Sequence, residues 1–381
     1  MNVSARDLHS ELNLESSFTV ESIESELKHA WAELGAQAEE SNTVAPLRTS
    51  ILTLVVVARG EAEITHARTT LHSLVRVLPS RVILVAIRRD SESLRAQVSA
   101  HCSFSLSDQA SCYELIEIET GQTNLRAIPS ILTQLEISDL TTFIWWIGSV
   151  DLRSPEFSRI SGAAQRVIID SARFNHPLES MGHYAEYMAH NHGDLAGTDL
   201  TWSRLLAWRE LLAQSFDSPA AQELLSSLQR VDMTYDPGYE ADALLTAGWL
   251  TSRLGWEPDA ASETRDTIIF SACDQNQRTV RFNLTEISGA GIGLRSVRLV
   301  SHSGQQSSRV TVRRLDRHRA AVHIEMTGMP RQQRVVQCID NTDDQVLGTE
   351  LLQFSRDHVY EHALDHAARF ATMIQKQEEI R

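Results

Sequence analysis

The sequence predicts an α/β N-terminal domain with a mostly parallel sheet, followed by a C-terminal α+β domain with an antiparallel meander and a terminal helix. Three observations predict this fold class. Apolar, β-branched runs alternate with helical segments between about residues 52 and 170, which is the order of a parallel sheet covered by helices. Beyond Asp266, apolar and polar residues alternate with a period of two, as in antiparallel strands with one polar face. The last segment carries an apolar stripe at helical spacing.

The first 49 residues form an acidic arm, with three basic residues against nine acidic ones. Its apolar residues repeat at 3-4-3-4 spacing, which predicts one helix with a narrow apolar stripe, and Thr19 is the predicted N-cap. We expect this helix to dock on its own domain, and a partner-binding helix is the alternative. The stripe consists of Val20, Ile23, Leu27, Ala30 and Leu34.

The α/β part begins with a continuous β-branched run, which is typical of a strand buried on both faces. The predicted strands are Leu52–Ala58, Arg81–Ile87, Tyr113–Glu119, Thr142–Ile147 and Arg166–Asp170. The helices predicted between them are Ile64–Leu78, Ser91–Val98 and Leu125–Leu135. This order indicates a parallel sheet with helices on its faces.

A helical extension follows, in which Asp199 is a predicted N-cap. The predicted helices of this extension are Pro177–His190, Thr201–Gln214, Ala220–Gln229 and Ala241–Leu254. The change to a period of two near Glu257–Arg265 predicts a domain boundary. We therefore expect an acidic arm over residues 1–49, an α/β domain with its helical extension over 50–258, and an antiparallel sheet with a C-terminal helix over 259–381.

Strands of the second domain are predicted around Val280–Leu284, Val310–Val312 and Val322–Met326, where apolar residues alternate with polar ones. The glycine-rich segment Gly289–Gly293 joins two such strands and does not open a helix. It is therefore predicted to be a turn and not a dinucleotide fingerprint. A long helix follows, with an apolar stripe that runs from Leu352 to Ile374.

Charge and hydropathy exclude several classes of function. The chain has 381 residues and a net charge of -15, which argues against a protein that binds nucleic acid or anionic membranes. Its longest apolar run, near Ile51–Ala58, is too short to cross a bilayer. The N-terminus is polar and has no apolar core of a secretory signal. We therefore expect a cytoplasmic protein.

Arginine dominates the basic residues, because Lys28 and Lys376 are the only lysines among 35. Eleven of these arginines lie between Arg278 and Arg334, against three acidic residues. Several of them alternate with core residues and so share one sheet face, which favours docking of an acidic partner. The alternatives are pairing with the acidic surface of the same chain and binding of RNA. No aromatic residues lie among these arginines to stack bases.

A catalytic set is not recognisable in the sequence. There is no GxSxG motif and no CxxC pair, and we expect no catalytic residue, no metal and no cofactor. The four cysteines are expected to be small core residues, although two of them, Cys102 and Cys112, are close enough for a local disulfide. The histidines at 358, 362 and 366 share one helix face, which we interpret as a solvated polar face.

Arginines also follow predicted strands of the parallel sheet. Ligands of open α/β sheets bind beyond the carboxyl ends of the strands, where Arg59, Arg88 and Arg89 are expected to lie. Such a group of arginines can hold a phosphate or a sugar acid. An enzyme or sensor for a phosphorylated sugar is therefore the alternative functional hypothesis.

One segment, Asp199–Ala213, is more specific than these motifs, since it spaces two tryptophans and two arginines along neighbouring helix faces. Together with the strand Phe143–Gly148, the helix Leu244–Gly255 and the junction Leu78–Ile83, it resembles the glucose-6-phosphate dehydrogenase assembly protein family, OpcA. The similarity runs from about Leu52 to Leu254 and continues more loosely through the strand-rich part. Residues 1–49 match none of the motifs.

The resemblance implies a non-catalytic role in the oxidative pentose phosphate pathway. Members of the family bind glucose-6-phosphate dehydrogenase, favour its active oligomer and raise its apparent affinity for substrate. Cyanobacterial relatives are associated with thioredoxin control, but this sequence lacks a closely spaced C-terminal cysteine pair. Tryptophan and arginine dominate the energetics of interfaces, although at least one of the two tryptophans is expected in the core. The predicted contact residues are Trp202, Arg204, Trp208, Arg209, Arg281, Arg298 and Arg313.

Overall fold

Two compact units make up the chain in the computed structural model. The first comprises Met1–Asp170, Asn191–Thr198 and Thr342–Arg356, and the second comprises Ser171–His190, Asp199–Asn341 and Asp357–Arg381. The structure describes residues 7–14, 18–41, 43–74, 78–89, 92–104, 110–191, 195–264, 266–289, 293–303, 306–338 and 341–378. The domain boundary predicted at residues 258 and 259 lies inside the second unit.

The helices of the described chain are Val20–Glu40 (α1), Gly60–Leu74 (α2), Ile128–Leu135 (α3), Pro155–Ser161 (α4), Pro177–His190 (α5), Leu200–Arg204 (α6), Leu206–Gln214 (α7), Pro219–Leu225 (α8), Glu240–Leu254 (α9), Asp343–Leu351 (α10) and His358–Glu378 (α11). Among the described residues, no helix is both long and apolar enough to cross a membrane.

The strands are Asp7–Leu14 (β1), Leu52–Arg59 (β2), Ser80–Ile87 (β3), Leu94–Phe104 (β4), Ala110–Thr120 (β5), Thr141–Trp146 (β6), Arg166–Ile169 (β7), Ala196–Asp199 (β8), Leu228–Tyr235 (β9), Glu257–Glu263 (β10), Thr267–Cys273 (β11), Thr279–Glu286 (β12), Leu294–Ser303 (β13), Gln306–Arg314 (β14), Arg319–Glu325 (β15) and Gln332–Gln337 (β16).

The first unit is built on a sheet of strand order β1-β4-β5-β3-β2-β6-β7-β8. The five strands from β5 to β7 are parallel, and β1 and β4 extend the sheet in the antiparallel sense. Strand β2 is buried over Leu52–Ala58 and β3 over Ser80–Ile87. The predicted parallel sheet of buried strands is therefore confirmed.

Strand β4 corrects the prediction of a helix over Ser91–Val98. Within β4, Ala96, Val98, Ala100 and Cys102 alternate as buried residues, so the period is two and not 3.6. A segment this short, with three apolar residues among polar ones, does not distinguish the two periods. Pairing with β5 along the whole strand, from Leu94 to Phe104, decides in favour of the strand.

Helix α1 packs on its own unit, as expected. Thr19 forms a capping box with Ser22, which confirms the predicted N-cap. The buried stripe of α1 includes Ala30 and Leu34, which share a core cluster with Ala100, Cys102 and Cys112. The last two residues are directly opposite on β4 and β5 and form a disulfide. The local disulfide that their spacing allowed is therefore present.

The second unit is built on a sheet of strand order β10-β11-β12-β9-β13-β14-β15-β16. All neighbouring pairs are antiparallel except β9 and β12. The final helix α11 packs on α9, α5 and β10, and α9 in turn packs on β9 and β12. These helices cover one face of the sheet, where Phe270, Phe282 and Phe370 stack. The predicted antiparallel sheet with a terminal helix is confirmed.

Strand β9 lies at the centre of this sheet, where the sequence predicted the end of a helix over Ala220–Gln229. Helix α8 ends at Leu225, and β9 begins at Leu228. A second difference lies in the helix predicted over Thr201–Gln214, which is interrupted at Leu205 and becomes α6 and α7. Of the turn predicted over residues 289–293, residues 290–292 lie outside the described part of the chain.

Candidate functional site

The segment that carries the resemblance forms α6 and α7. The Oδ1 atom of Asp199 accepts the backbone N–H of Thr201 at 2.9 Å and that of Ser171 at 3.0 Å. This pair of bonds confirms Asp199 as the N-cap of α6 and ties the helix start to the preceding 3-10 turn, Ser171–Arg173. Because Asp199 itself is fully buried, the carboxylate replaces solvent for otherwise unpaired backbone donors.

Three contacts with two residues hold Trp202 in place. Its Nε1–H donates to Asp357 Oδ2 at 2.8 Å, just before α11. The guanidinium of Arg209 lies over the indole ring, 3.4 Å from Cζ to the ring centroid, and its Nη1 donates to the carbonyl of Trp202. Only 3% of the surface of Trp202 is exposed. Its contacts join α6 to α7 and to the start of α11.

Trp208 and Arg204 also point into the second unit. Trp208 is 1% exposed, and Arg314 lies over its ring with Cζ 5.5 Å from the centroid. Arg204 is partly buried and donates to the hydroxyl of Thr201 at 3.3 Å. Four of the seven predicted contact residues therefore make contacts inside the second unit, namely Trp202, Arg204, Trp208 and Arg209. The exposed members of the set lie on the sheet.

Arg281, Arg298 and Arg313 lie on the face of the second sheet that the helices leave open. Arg281 on β12 is the register partner of Arg230 on β9. On the other side of β9, Arg230 pairs with Val300 of β13, and Val300 pairs with Arg309 of β14. Register partners on neighbouring strands share a face. We call this surface the arginine face, defined by its exposed arginines Arg230, Arg281, Arg298, Arg309 and Arg313.

Two further rows complete the arginine face. Asp232 lies between Asn283 and Arg298 in one row, and Ser296 lies between Thr234 and Arg313 in the next. The hydroxyls of Thr234 and Ser296 hydrogen-bond at 2.7 Å. In these two rows short polar side chains lie beside Arg298 and Arg313, so the guanidinium groups are the long side chains of the surface.

Acidic side chains neutralise only part of this face. Asp232 accepts from Arg230 at 3.1 Å and from Asn283 at 2.7 Å, and Glu325 pairs with Arg309 at 3.4 Å. Within the described residues, Arg281, Arg298 and Arg313 have no ion pair. They therefore offer exposed planar donors of the kind that binds carboxylates in bidentate geometry.

The other predicted group, Arg59, Arg88 and Arg89, lies at the carboxyl edge of the parallel sheet, as its position after β2 and β3 implies. Two acidic residues, Glu61 and Glu119, form ion pairs with Arg88 of this group. Arg88 donates to Glu61 and pairs with Glu119 at 3.2 Å, while Arg89 is exposed. An anion at this edge would compete with two carboxylates for Arg88.

Glu63 occupies the neighbouring crevice between the ends of β2 and β6. After β2 the chain first adds β3 and β5 on one side of the sheet and later adds β6 and β7 on the other side. The crevice between β2 and β6 is therefore the switch point at which α/β sheets bind ligands. Glu63 Oε2 accepts the N–H of Arg59 at 2.7 Å. Its carboxyl group also lies so close to Gly148 that a Cβ there would be 2.0 Å from Oε1. Burial raises the pKa of Glu63, against the opposing hydrogen bond from Arg59.

Two of the three histidines on the last helix have protein partners, and His362 is exposed. His358 Nδ1 lies 3.0 Å from Glu361 Oε2, and His366 Nδ1 lies 3.1 Å from the hydroxyl of Thr251. Burial lowers the pKa of His366, and the charge of Arg369 adds to this effect. Among the residues described by the structure, no group of three or more His, Cys, Asp or Glu side chains is arranged to hold a metal.

The fold and this surface define a two-unit α/β protein whose second unit presents one open, arginine-rich sheet face. Residues 71–186 match the family model for the N-terminal domain of a glucose-6-phosphate dehydrogenase subunit. Residues 196–364 match the model for the C-terminal domain of the same subunit. The two ranges cover most of the chain, and the chain belongs to the OpcA family.

Relatives of the chain carry the same family name. An OxPP cycle protein OpcA of Synechocystis sp. is 28% identical over 304 residues, covering 75% of this chain and 62% of the relative. Its counterpart in Nostoc punctiforme is 33% identical over 221 residues, covering 56% of this chain and 47% of the relative. The chain thus spans less than two thirds of the length of either relative.

Among solved structures, a 3-ketoreductase from Actinomadura kijaniata superposes with a TM-score of 0.48 and 12% identity, covering 85% of this chain and 97% of the other. A superposition at this level carries no conclusion about activity.

Proposed function

We propose that the chain is a non-catalytic binding partner of glucose-6-phosphate dehydrogenase, which favours the active oligomer of the enzyme and raises its apparent affinity for glucose 6-phosphate. The family models describe a subunit of that enzyme, and the relatives are named for the oxidative pentose phosphate cycle. The proposal places the chain in the cytoplasm with its metabolic partner.

The observation that carries the proposal is the arginine face, with Arg281, Arg298 and Arg313 exposed and without ion pairs among the described residues. A partner surface rich in carboxylates complements these guanidinium groups and is steered to them by charge. Truncating a single central arginine of an interface typically weakens binding by about 2 kcal/mol or more. Three such residues on one rigid sheet are enough to define a docking orientation.

Activation then needs no chemistry from this chain. A protein that binds the active state of an enzyme more tightly than the inactive state shifts the population toward the active state by the ratio of the two affinities. A hundredfold ratio corresponds to about 2.7 kcal/mol. The position of Glu63 in the crevice at the switch point supports a non-catalytic role, because its carboxylate takes the backbone donor that a phosphate would use.

The test is a titration of the full chain into the glucose-6-phosphate dehydrogenase of the same organism, with the initial rate followed against glucose 6-phosphate. We expect the apparent KM to fall in a saturable manner and the active oligomer to increase in light scattering. The chain alone, mixed with glucose 6-phosphate and NADP+, should give no NADPH. Unchanged kinetics at saturating chain, or turnover by the chain alone, would overturn the proposal.

A further inference from the structure

Strand β16 is an open edge of the second sheet. It is the last strand in the order β10-β11-β12-β9-β13-β14-β15-β16, and it pairs with β15 on one side. Within the described part of the chain, no strand pairs with its other side. Gln332, Gln333, Arg334, Val335 and Gln337 are exposed, and Val336 is partly exposed. The strand is therefore uncovered along its whole length.

The direction of its free backbone groups follows from one hydrogen bond. The N–H of Cys338 donates to His318 O at 2.8 Å, so Cys338 points toward the chain that leads into β15. Backbone groups alternate along an antiparallel pair, and hence the N–H and C=O groups of Gln333, Val335 and Gln337 point outward. These six groups form a template for one more strand.

The two edges of this sheet differ. On β10, the register shifts between Pro258 and Ala260, and a bulge of this kind, together with a proline, protects an edge from further pairing. On β16, the register with β15 is unbroken from Gln332 to Gln337, and the strand contains neither proline nor lysine. A bulge and a proline thus protect the edge of β10, and neither is present on β16.

The side chains beside this edge indicate the chemistry of an added strand. Val335 pairs with Ala321, which pairs with Arg313. The side chain of Val335 therefore lies on the same face of the sheet as the arginine face. Val335 is 53% exposed. Arg334, on the opposite side of the strand, is exposed and has no ion pair among the described residues. An added strand meets an apolar side chain in the middle and Arg334 on one side, while on the other side the arginine face begins at Arg313, two strands away.

We propose that β16 accepts an extended, acidic segment of the partner by strand addition, with an apolar side chain of that segment over Val335. Main-chain hydrogen bonds then supply affinity, and the arginines select an acidic sequence. A second copy of this chain is a poorer occupant, because pairing β16 with itself brings Arg334 and the arginine face of one copy beside those of the other. The inference depends on the proposed function for the identity of the partner.

The test compares two variants at one position. Val335→Pro removes an outward N–H and leaves the bonds to β15 in place, whereas Val335→Thr keeps every backbone group. We expect Val335→Pro to weaken binding of the full chain to glucose-6-phosphate dehydrogenase at least tenfold and Val335→Thr to change it less than threefold. Circular dichroism and the melting temperature establish that both variants fold.

Hydrogen exchange of the wild-type chain provides a second measurement, which holds even when the proline variant fails to fold. We expect the amides of Gln333, Val335 and Gln337 to become protected when the dehydrogenase is added. A complex that forms without this protection and tolerates Val335→Pro overturns the inference and leaves the proposed function standing. Protection in the chain alone at high concentration shows a second copy on the edge and also overturns it. Absence of any complex overturns both.

Discussion

The Nε–H of Arg81 donates a 2.9 Å hydrogen bond to Glu114 Oε2 inside the first unit, where the two residues are 5% and 1% exposed. The other carboxylate oxygen accepts from Arg48 and, at 2.9 Å, from Trp31 Nε1. One carboxylate thus joins β3 and β5 to α1 and to the segment that precedes β2. Burial alone would raise the pKa of Glu114, but the hydrogen bonds and charges of Arg48 and Arg81 outweigh it and hold the pKa below its usual value.

Glu114→Gln is expected to lower the free energy of unfolding by about 3 kcal/mol, because it removes the buried carboxylate beside Arg81. Of the charged partners that the structure describes, the guanidinium of Arg81 then keeps only Glu24, at 2.7 Å, and that carboxylate is partly exposed. Since the folded pKa is depressed, the carboxylate stabilises the fold above its unfolded pKa, and this contribution is lost as the pH falls through the folded value. Urea denaturation at pH 7 and at pH 3 measures both effects. The matched control is Glu61→Gln, which removes an exposed partner of Arg88 and should cost less than about 1 kcal/mol. Equal losses in the two variants would contradict the prediction.

Charge reversal on the arginine face is expected to weaken binding to the dehydrogenase. The variant Arg281→Glu/Arg298→Glu/Arg313→Glu places three carboxylates where an acidic partner must dock, and we expect a loss of affinity of at least about a hundredfold, or 2.7 kcal/mol. Surface plasmon resonance with the immobilised enzyme measures it.

A control for this prediction changes the net charge by the same amount at residues outside the arginine face. Arg126, Arg159 and Arg253 are exposed and have no ion pair among the described residues. Reversing all three should change the affinity by less than about fivefold, since none of them belongs to the arginine face and a change of net charge alone acts mainly on the rate of association. If both triple variants lose affinity equally, net charge and not the arginine face governs binding.

Glu240 at the start of α9 has a carboxyl group whose pKa is raised to about 7, by burial first and then by the charges of Glu263 and Glu286. The folded state therefore holds a proton that the unfolded state releases near pH 4.5, and the free energy of unfolding falls as the pH rises between these values. Glu240→Gln removes this dependence. We expect the variant to be about 2 kcal/mol more stable than wild type at pH 8, allowing for solvent screening, and nearly equal at pH 4.5.

Thermal unfolding across pH 4.5 to 8 tests this expectation. Glu223→Gln on α8, where the side chain is exposed, is the control and should follow the wild-type curve. A Glu240→Gln variant that is less stable than wild type at pH 8 would contradict the prediction.

The strands of the parallel sheet could be predicted from the sequence because they are short apolar runs rich in β-branched residues. Helix α1 could be predicted because its apolar residues keep one regular 3-4 spacing. Strand β9 could not, since Leu228 follows a helix closely and its own alternation is Leu228, Val231, Met233 and Tyr235, which is irregular at the start. It becomes a strand through pairing with β12 and β13, and both lie more than 40 residues further along the chain.

The candidate site shows the same limit. The tryptophans of α6 and α7 have the residue type and spacing of contact residues, yet Trp202 bonds to Asp357, 155 positions away. The sequence correctly placed several arginines on one sheet face. It could not show which of them form ion pairs, because the pair of Arg309 and Glu325 depends on the register between β14 and β15.

The backbones of helices α9 and α11 are in contact at Gly248, where a Cβ atom would lie 2.1 Å from the carbonyl oxygen of Ala363 and 2.9 Å from the backbone nitrogen of Ala367. Gly248→Ala therefore forces two backbones apart, and we expect the free energy of unfolding to fall by about 3 kcal/mol or more. The control is Gly182→Ala on α5, where the nearest atom to the new Cβ is 3.9 Å away. Alanine there should stabilise the helix by about 0.5–1 kcal/mol. Urea denaturation of both variants measures these changes in the free energy of unfolding. A Gly248→Ala variant as stable as wild type would contradict the prediction, because it would show that α9 and α11 can move apart without loss of stability.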